Sequence, residues 1–399
     1  MRSDNMEDWV NEVKQRALTG KPLVSGGRSN KLGKISFDDL VFIPKQLTGR
    51  PIDYFKEEII SETIIGKTSK QPLKLKIPIM IGAMSFGAVS KEAKIALAKA
   101  SSLAGTSTNT GEGGMLPEER QNAKVLIVQY STGRFGITED ILKKADAVEI
   151  KIGQGAKPGQ GGLLPADKVT EEIARIRNVP MGKDVHSPPA HPDIFSIDDL
   201  KKKVKWLKEI TEGKPIIIKL GAGDVENDVK LALKAEPDVI AIDGMGGGTG
   251  AAPRIMLDEF GIPTLAALIK ARKAMGNSKQ ELIISGGLNK GADVAKALAL
   301  GANAVYMATS CLVAMGCIYC KLCYKGKCPF GITTQDPELR AKLNIEEASK
   351  NIANFLTACT EEVKMAAAAC GKRNVHELNR EDLRSLSLLV KEITEVPLV

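Results

Sequence analysis

An α/β chain wound as a (β/α)8 TIM barrel, with an N-terminal extension and C-terminal helices, is the architecture this sequence implies. From residue 78 onward, short apolar runs alternate with longer stretches of helical period, and the runs number eight. Most are rich in valine and isoleucine without polar alternation, the pattern of parallel strands buried on both faces. Eight such repeats favour a closed barrel over an open sheet. The chain has 399 residues, 43% hydrophobic and 26% charged, enough for one large core without requiring two.

Residues 1–75 are polar and read as an extension packed on the barrel, with a short amphipathic start and turns at Gly26-Gly27 and Gly49-Arg50-Pro51. The expected strands are 78–83, 105–108, 125–130, 147–152, 215–220, 238–243, 281–285 and 304–308. Between them, Ser90 opens one helix and Ser196 with Asp199 forms a capping-box pattern at another. Residues 153–200 make a long glycine- and proline-rich excursion, and loops of that length are usually functional. The barrel is expected over 76–335, with a cysteine-bearing segment at 311–330, and residues 336–399 as a helical segment packed on its outside.

Composition excludes several roles. The net charge of +8 is scattered, and its densest run, Lys201 to Lys205, falls on an expected helix, where a solvated face explains it better than a nucleic-acid patch. No apolar leader follows the start and no stretch is long enough to span a membrane, so a cytoplasmic protein is expected. In that setting seven cysteines argue against a disulfide framework, and three histidines against a histidine-rich metal site.

Barrels of this kind carry their sites at the C-terminal strand ends. After the seventh strand comes Ser285-Gly286-Gly287-Leu288, and after the eighth Ala308-Thr309-Ser310. Glycines there let backbone amides approach a phosphate. The loop after the sixth strand, Asp243 to Gly250, is dense enough in glycine to lie against a flat cofactor. Lys151 and Lys219 end the fourth and fifth strands, and a lysine among apolar strands is costly unless it meets an anion. That anion is a neighbouring carboxylate (Glu149 or Asp243), a reduced cofactor ring or a substrate carboxylate. Lys157 is a further candidate for an anionic substrate. Cys317, Cys320, Cys323 and Cys328, with Pro329 after them, fall within twelve residues and suit an iron–sulfur cluster better than a zinc site. Cys311, Cys359 and Cys370 lie in apolar helical contexts and read as core.

Over roughly residues 40–390 the chain resembles the flavin-binding synthase domain of glutamate synthase. The resemblance rests on Gly82-Ala-Met-Ser-Phe-Gly87, Thr108-Asn-Thr-Gly-Glu-Gly-Gly114, Ile150-Lys-Ile-Gly-Gln-Gly-Ala-Lys-Pro-Gly159 and Ser187-Pro-Pro-Ala-His191. It extends through Gly247-Gly-Thr-Gly250, Gly286-Gly-Leu288, the cysteine run and Thr334-Gln-Asp-Pro-Glu-Leu-Arg340. It implies FMN, held by Ala83, Met84, Ser85, Asn109, Lys219, Gly247, Gly248, Thr249, Gly286, Gly287, Ala308 and Thr309. It implies a 2-oxoglutarate site at Lys157, Arg177 and Glu112, with Lys219, Lys151 and Gln154 catalytic. It makes Cys317, Cys323 and Cys328 the ligands of a [3Fe–4S] cluster, with Cys320 an extra thiol that would make the cluster [4Fe–4S] if it ligated. Electrons would enter by the cluster and reduce FMN, and hydride would pass to 2-iminoglutarate.

The chain departs from the larger enzymes of that family. It begins Met1-Arg2-Ser3 without their glutaminase domain and lacks their β-helical domain, which implies separate glutaminase, β-helix or ferredoxin-like subunits. Leu163 stands in place of a glutamine, Met245 of a histidine and Met115 of an acidic residue. Two other readings are an N-methylglutamate synthase component and a flavin and iron–sulfur electron-transfer subunit. An inosinate-dehydrogenase-like barrel would need a catalytic loop cysteine, whereas the cysteines here are grouped.

Overall fold

The chain is described from a computed structural model over residues 4–31 and 35–399. Its centre is a barrel of eight parallel strands: β1 (Ile79–Ile81), β2 (Ser107–Asn109), β3 (Val125–Tyr130), β4 (Ala147–Lys151), β5 (Ile216–Gly221), β6 (Val239–Asp243), β7 (Glu281–Ser285) and β8 (Ala304–Met307). All eight expected strands are present. Ladders join them in the order β1-β8-β7-β6-β5-β4-β3-β2. Across the remaining seam, the Lys76 amide donates to the Gly105 carbonyl at 2.9 Å and the Thr106 hydroxyl to the Ile79 carbonyl at 2.6 Å. Strand β2 starts two residues later than the sequence suggests because Gly105, at φ 70°, is the left-handed cap of the helix before it.

Eight helices ring the barrel: α1 (Lys91–Ala104), α2 (Pro117–Asn122), α3 (Glu139–Lys143), α4 (Ile197–Ile210), α5 (Val225–Lys234), α6 (Thr264–Met275), α7 (Gly291–Ala299) and α8 (Ile345–Ala369). The Ser90 hydroxyl accepts from the Ala93 amide at 3.1 Å and the Ser196 hydroxyl from the Asp199 amide at 3.2 Å, so both expected caps form. Helix α8 packs between α1 and α7 and completes the ring. It lies beyond residue 335, in the segment the sequence suggested was outer packing, because a long insertion carrying the cysteines separates it from β8.

The first 75 residues are less irregular than they read. Their described residues contain the helix Asp4–Thr19 and four short strands. The antiparallel pair Thr63–Ile65 and Leu73–Leu75 closes the N-terminal end of the barrel, where Ile65, Leu73 and Leu75 pack on Met80, Ile217 and Ile283. Strand Leu40–Phe42 pairs with Leu383–Ser385 and joins the two ends of the chain. The strand Val24–Gly27 crosses to the opposite end of the barrel, where it pairs with Thr249–Pro253. The excursion after β4 folds into a small hairpin, Leu163–Leu164 with Val185–His186, and the helix Glu171–Arg177. Cys311, Cys359 and Cys370 are buried. Among the described residues no helix is long and apolar enough to cross a membrane.

Candidate active site at the C-terminal mouth of the barrel

Parallel register sets the strand ends side by side. Lys151 of β4 lies opposite Lys219 of β5, Gly221 of β5 opposite Asp243 of β6, and Asp243 opposite Ser285 of β7. A cavity opens above them. Lys219, Lys151, Gln154, Lys157, Arg177 and Glu112 all line it, as do Ala83, Met84 and Ser85 from the β1 loop. Gly247, Gly248 and Thr249, Gly286 and Gly287, Ala308 and Thr309 complete that wall, and Cys317 and Cys323 reach it from beyond β8. Asn109 is fully buried and is not among the lining residues, and neither are Cys320 and Cys328.

One side of the cavity is a cluster of cations. The Lys151 ammonium donates to Glu112 Oε2 at 3.0 Å and to Gln154 Oε1 at 2.8 Å. Lys157, 6% exposed, donates to the Ala251 carbonyl at 3.1 Å. Arg177, 4% exposed, is anchored by Nε and Nη2 on the Phe86 carbonyl. Burial works against the charges on Lys157 and Arg177 and, despite Glu112, lowers them to about 8 and about 10. Burial also works against Glu112, but Lys151, Lys157 and Arg177 outweigh it and hold that carboxyl at about 2. Three cations against one carboxylate leave two positive charges uncompensated, which suits a dianion.

Beneath the cavity lies a polar floor that sequence reasoning mentioned only as a pairing alternative. Glu149 is fully buried inside the barrel. Its Oε1 accepts from Gln129 Nε2 at 2.7 Å and Asn109 Nδ2 at 3.1 Å, and lies 3.6 Å from the Lys219 ammonium. The Tyr306 hydroxyl shares this pocket, and burial followed by the Glu149 charge raises its pKa well above the ordinary value. Asp243 plays no part in pairing the lysines. It accepts from the Gly155 amide at 2.8 Å and the Ser285 hydroxyl at 2.7 Å, tying three strand-end loops together. Asn109 thus orients Glu149 and, through Oδ1, accepts from the Gly111 amide at 2.9 Å.

The opposite wall is glycine. Gly286 and Gly287 hold φ values of 120° and 87°, which side chains other than glycine rarely adopt. A Cβ on Gly248 would lie 2.4 Å from Thr309 Oγ1, and one on Gly246 2.3 Å from the Gly286 carbonyl. The β6, β7 and β8 loops therefore approach one another at backbone distance. That is the cradle a flat, phosphate-bearing cofactor needs.

The cysteine segment leaves β8 through the helix Thr309–Ala314 and runs irregularly to Cys328. Burial opposes a thiolate at Cys328, but the amides of Thr333, Phe330 and Ile332 outweigh it and hold the thiol below its ordinary value. Burial raises Cys317 and Cys323, and the Tyr319 amide donates to Cys317 Sγ at 3.4 Å. Cys320 is exposed, whereas Cys317, Cys323 and Cys328 are half-buried. Among the described residues no three cysteine, histidine, aspartate or glutamate side chains converge closely enough to hold an ion. The amide cage at Cys328 and the three neighbouring half-buried thiols fit thiolate ligation of a cluster by donor chemistry.

Two residues support the site from behind. Lys94, on α1 and fully buried, pairs with the buried Glu119 at 2.8 Å. Its ammonium also donates to the carbonyls of Met84, Asn109 and Thr110, pinning the β1 and β2 loops to each other. A lysine between Ala93, Ala96 and Leu97 on an apolar helix face is the signal that could have found it. His191 lies against Lys151. Arg134 Nη1 donates to its Nδ1 at 2.5 Å, so the proton resides on Nε2, which donates to the Lys151 carbonyl at 2.8 Å. Burial and then Arg134 lower its pKa to about 4, so the ring is neutral at neutral pH.

Comparison with known proteins places the chain in a family. The family model of a conserved region in glutamate synthase matches residues 35–373. A glutamate synthase large subunit-like protein of Rhizobium meliloti is 41% identical over 421 residues, covering 100% of this chain and 95% of that protein. An archaeal glutamate synthase [NADPH] of Methanocaldococcus jannaschii is 41% identical over 418 residues, covering 96% and 82%. Among solved structures, a mandelate oxidase mutant with the monooxide FMN adduct superposes with a TM-score of 0.59 at 16% identity, covering 90% of this chain and 93% of that one. That last likeness concerns the fold alone.

Proposed function

Since the chain belongs to the glutamate synthase family of oxidoreductases, we propose that it forms L-glutamate by reducing 2-iminoglutarate, derived from 2-oxoglutarate and ammonia. The observation that carries this reading is the cation cluster of Lys151, Lys157 and Arg177 around one carboxylate. Its two uncompensated charges match the two carboxylates of a five-carbon 2-oxo acid.

The glycine wall fits FMN: Ala83, Met84, Ser85, Gly247, Gly248 and Thr249 would flank its ring, and Gly286, Gly287 and Thr309 would hold its phosphate. Cys317, Cys323 and Cys328 fit a [3Fe–4S] cluster, and the exposure of Cys320 speaks for a spare thiol. When bound, the flavin supplies hydride transfer and the cluster one-electron relay. The chain's own work is positioning and electrostatics. Lys219, held by Glu149, presents a cation at the cavity floor where negative charge develops on reduction. Lys151, oriented by Glu112 and Gln154, is the group that holds or moves a proton at the substrate's imino nitrogen. Lys157 and Arg177 fix the carboxylates. Separate subunits would supply ammonia and electrons, with glutaminase and ferredoxin-like chains the natural classes.

A relay without its own substrate would have no use for the cation cluster, which disfavours an electron-transfer subunit. The test is anaerobic purification, followed by 2-oxoglutarate titration against the visible spectrum and product analysis with ammonia and with methylamine under a chemical reductant. Glutamate from ammonia supports the reading, and N-methylglutamate from methylamine alone would replace it. Neither product, together with an unchanged spectrum at millimolar 2-oxoglutarate, would sink it.

A further inference from the structure

We propose that Arg28, on the N-terminal strand that crosses the mouth of the barrel, grips the phosphate monoester of the cofactor. The inference rests on the FMN reading and assigns a cation to a phosphate site otherwise built from glycines and a threonine. Strand Val24–Gly27 pairs antiparallel with Thr249–Pro253, placing Gly27 opposite Thr249, and its register shifts between Ser25 and Gly27. A bulge of that kind re-aims the side chains that follow. Arg28 then reaches the β7 loop. Its Nη1 donates to the Gly287 carbonyl at 3.4 Å and lies 3.1 Å from where a Cβ on Gly287 would sit.

Three further observations make this contact more than packing. Among the described residues no carboxylate pairs with the guanidinium. Asp258, the acid that meets the residues after this strand from the helix Arg254–Glu259, is engaged by the Asn30 amide at 2.9 Å, the Ser29 hydroxyl at 3.3 Å and Arg254 Nε at 3.5 Å. With a single long bond to a carbonyl, Arg28 keeps most of its five donors unspent beside a loop shaped for an anion. The strap is also held in place from outside the barrel. The Gly26 amide donates to the Lys321 carbonyl at 3.0 Å, and the Arg28 amide to the Tyr319 hydroxyl at 3.3 Å. Tyr319 and Lys321 hold φ values of 57° and 61°, left-handed backbone at two residues that are not glycine, and such strain gathers at ligand clamps.

The experiment removes flavin from the full-length chain and titrates it back with FMN and with riboflavin, following quenching of flavin fluorescence. The wild-type chain is expected to bind FMN more tightly than riboflavin. Arg28→Gln is expected to weaken FMN roughly 10- to 100-fold and leave riboflavin unchanged, the worth of a charge-assisted phosphate contact. Arg28→Lys, which keeps a point charge, is expected to recover part of the loss. Equal weakening of both flavins would mean a merely structural role and overturn the proposal, as would unchanged FMN affinity. A wild-type chain that binds both flavins equally would overturn it while sparing the flavin reading. One that binds neither would end both.

Discussion

Lys157 is the residue whose chemistry is most exposed to test. Burial holds its pKa at about 8, so the ammonium is charged at neutral pH and loses its proton as the medium turns alkaline. A dicarboxylate needs that charge, so its KM is expected to rise once pH passes about 8. Lys157→Arg, charged throughout, should flatten the rise. A KM that stays level between about pH 7 and pH 9 in the native enzyme would remove Lys157 from the substrate site. The cysteines separate in the same way. Cys323→Ser is expected to lose iron by metal analysis, while Cys320→Ser keeps its full iron content and its paramagnetic signal in the oxidised state. Iron loss from Cys320→Ser would make it a ligand. Lys151 and Lys219 were legible because cationic residues at apolar strand ends are costly without a partner. Glu149 was visible only as a possible partner. Its role as the hub for Asn109, Gln129, Tyr306 and Lys219 needs five strands brought together, and residue types along one strand do not report that.

Among the elements, α1 does more than close the ring. Its Lys94 holds the β1 and β2 loops, and through them Met84 at the cavity wall. Lys94→Met would leave Glu119 buried and unpaired. It is expected to destabilise the fold by about 3–5 kcal/mol in chemical denaturation. A loss below about 1 kcal/mol would show that water reaches the pair. The eight strands could be found because unalternating valine and isoleucine runs mark burial on both faces. The strap over residues 24–28 could not. Gly26-Gly27 reads as a turn, and a strand lies there because Thr249–Pro253, over 220 positions away, pairs with it while Lys321 and Tyr319 approach its glycines. The length of the β4 excursion is legible in the sequence. Its hairpin and helix were hidden because glycine and proline punctuate the stretch more strongly than its short apolar pairs.

His191 ties that excursion to the barrel, so the stability of the entire chain inherits its titration. The folded pKa is about 4 against an ordinary 6.5. Below 6.5 the unfolded chain takes up a proton that the folded chain refuses. Stability is therefore level above that pH, falls as pH drops toward 4, and loses at most about 3 kcal/mol through this group. Glu112, held at about 2 against an ordinary 4.5, adds a further loss below 4.5. His376, also depressed by burial, falls in the same direction. Denaturation midpoints across pH 5 to 6.5 are expected to drop in the native chain and to flatten in His191→Gln; identical slopes would place the histidine outside the linkage. Hydrophobic periodicity settled the barrel and the ends of its strands, because burial on both faces must be written locally along each strand. Glycine and lysine at those ends announced an anion-binding mouth for the same reason, since their costs are paid where they stand. The pairing of Lys151 with Glu112, the Glu149 floor, the Lys94 pin and the reach of Arg28 across 259 positions to Gly287 arise only when distant segments meet. Charge and hydrogen-bond partners are chosen by distance in space, and spacing along a chain carries no measure of it.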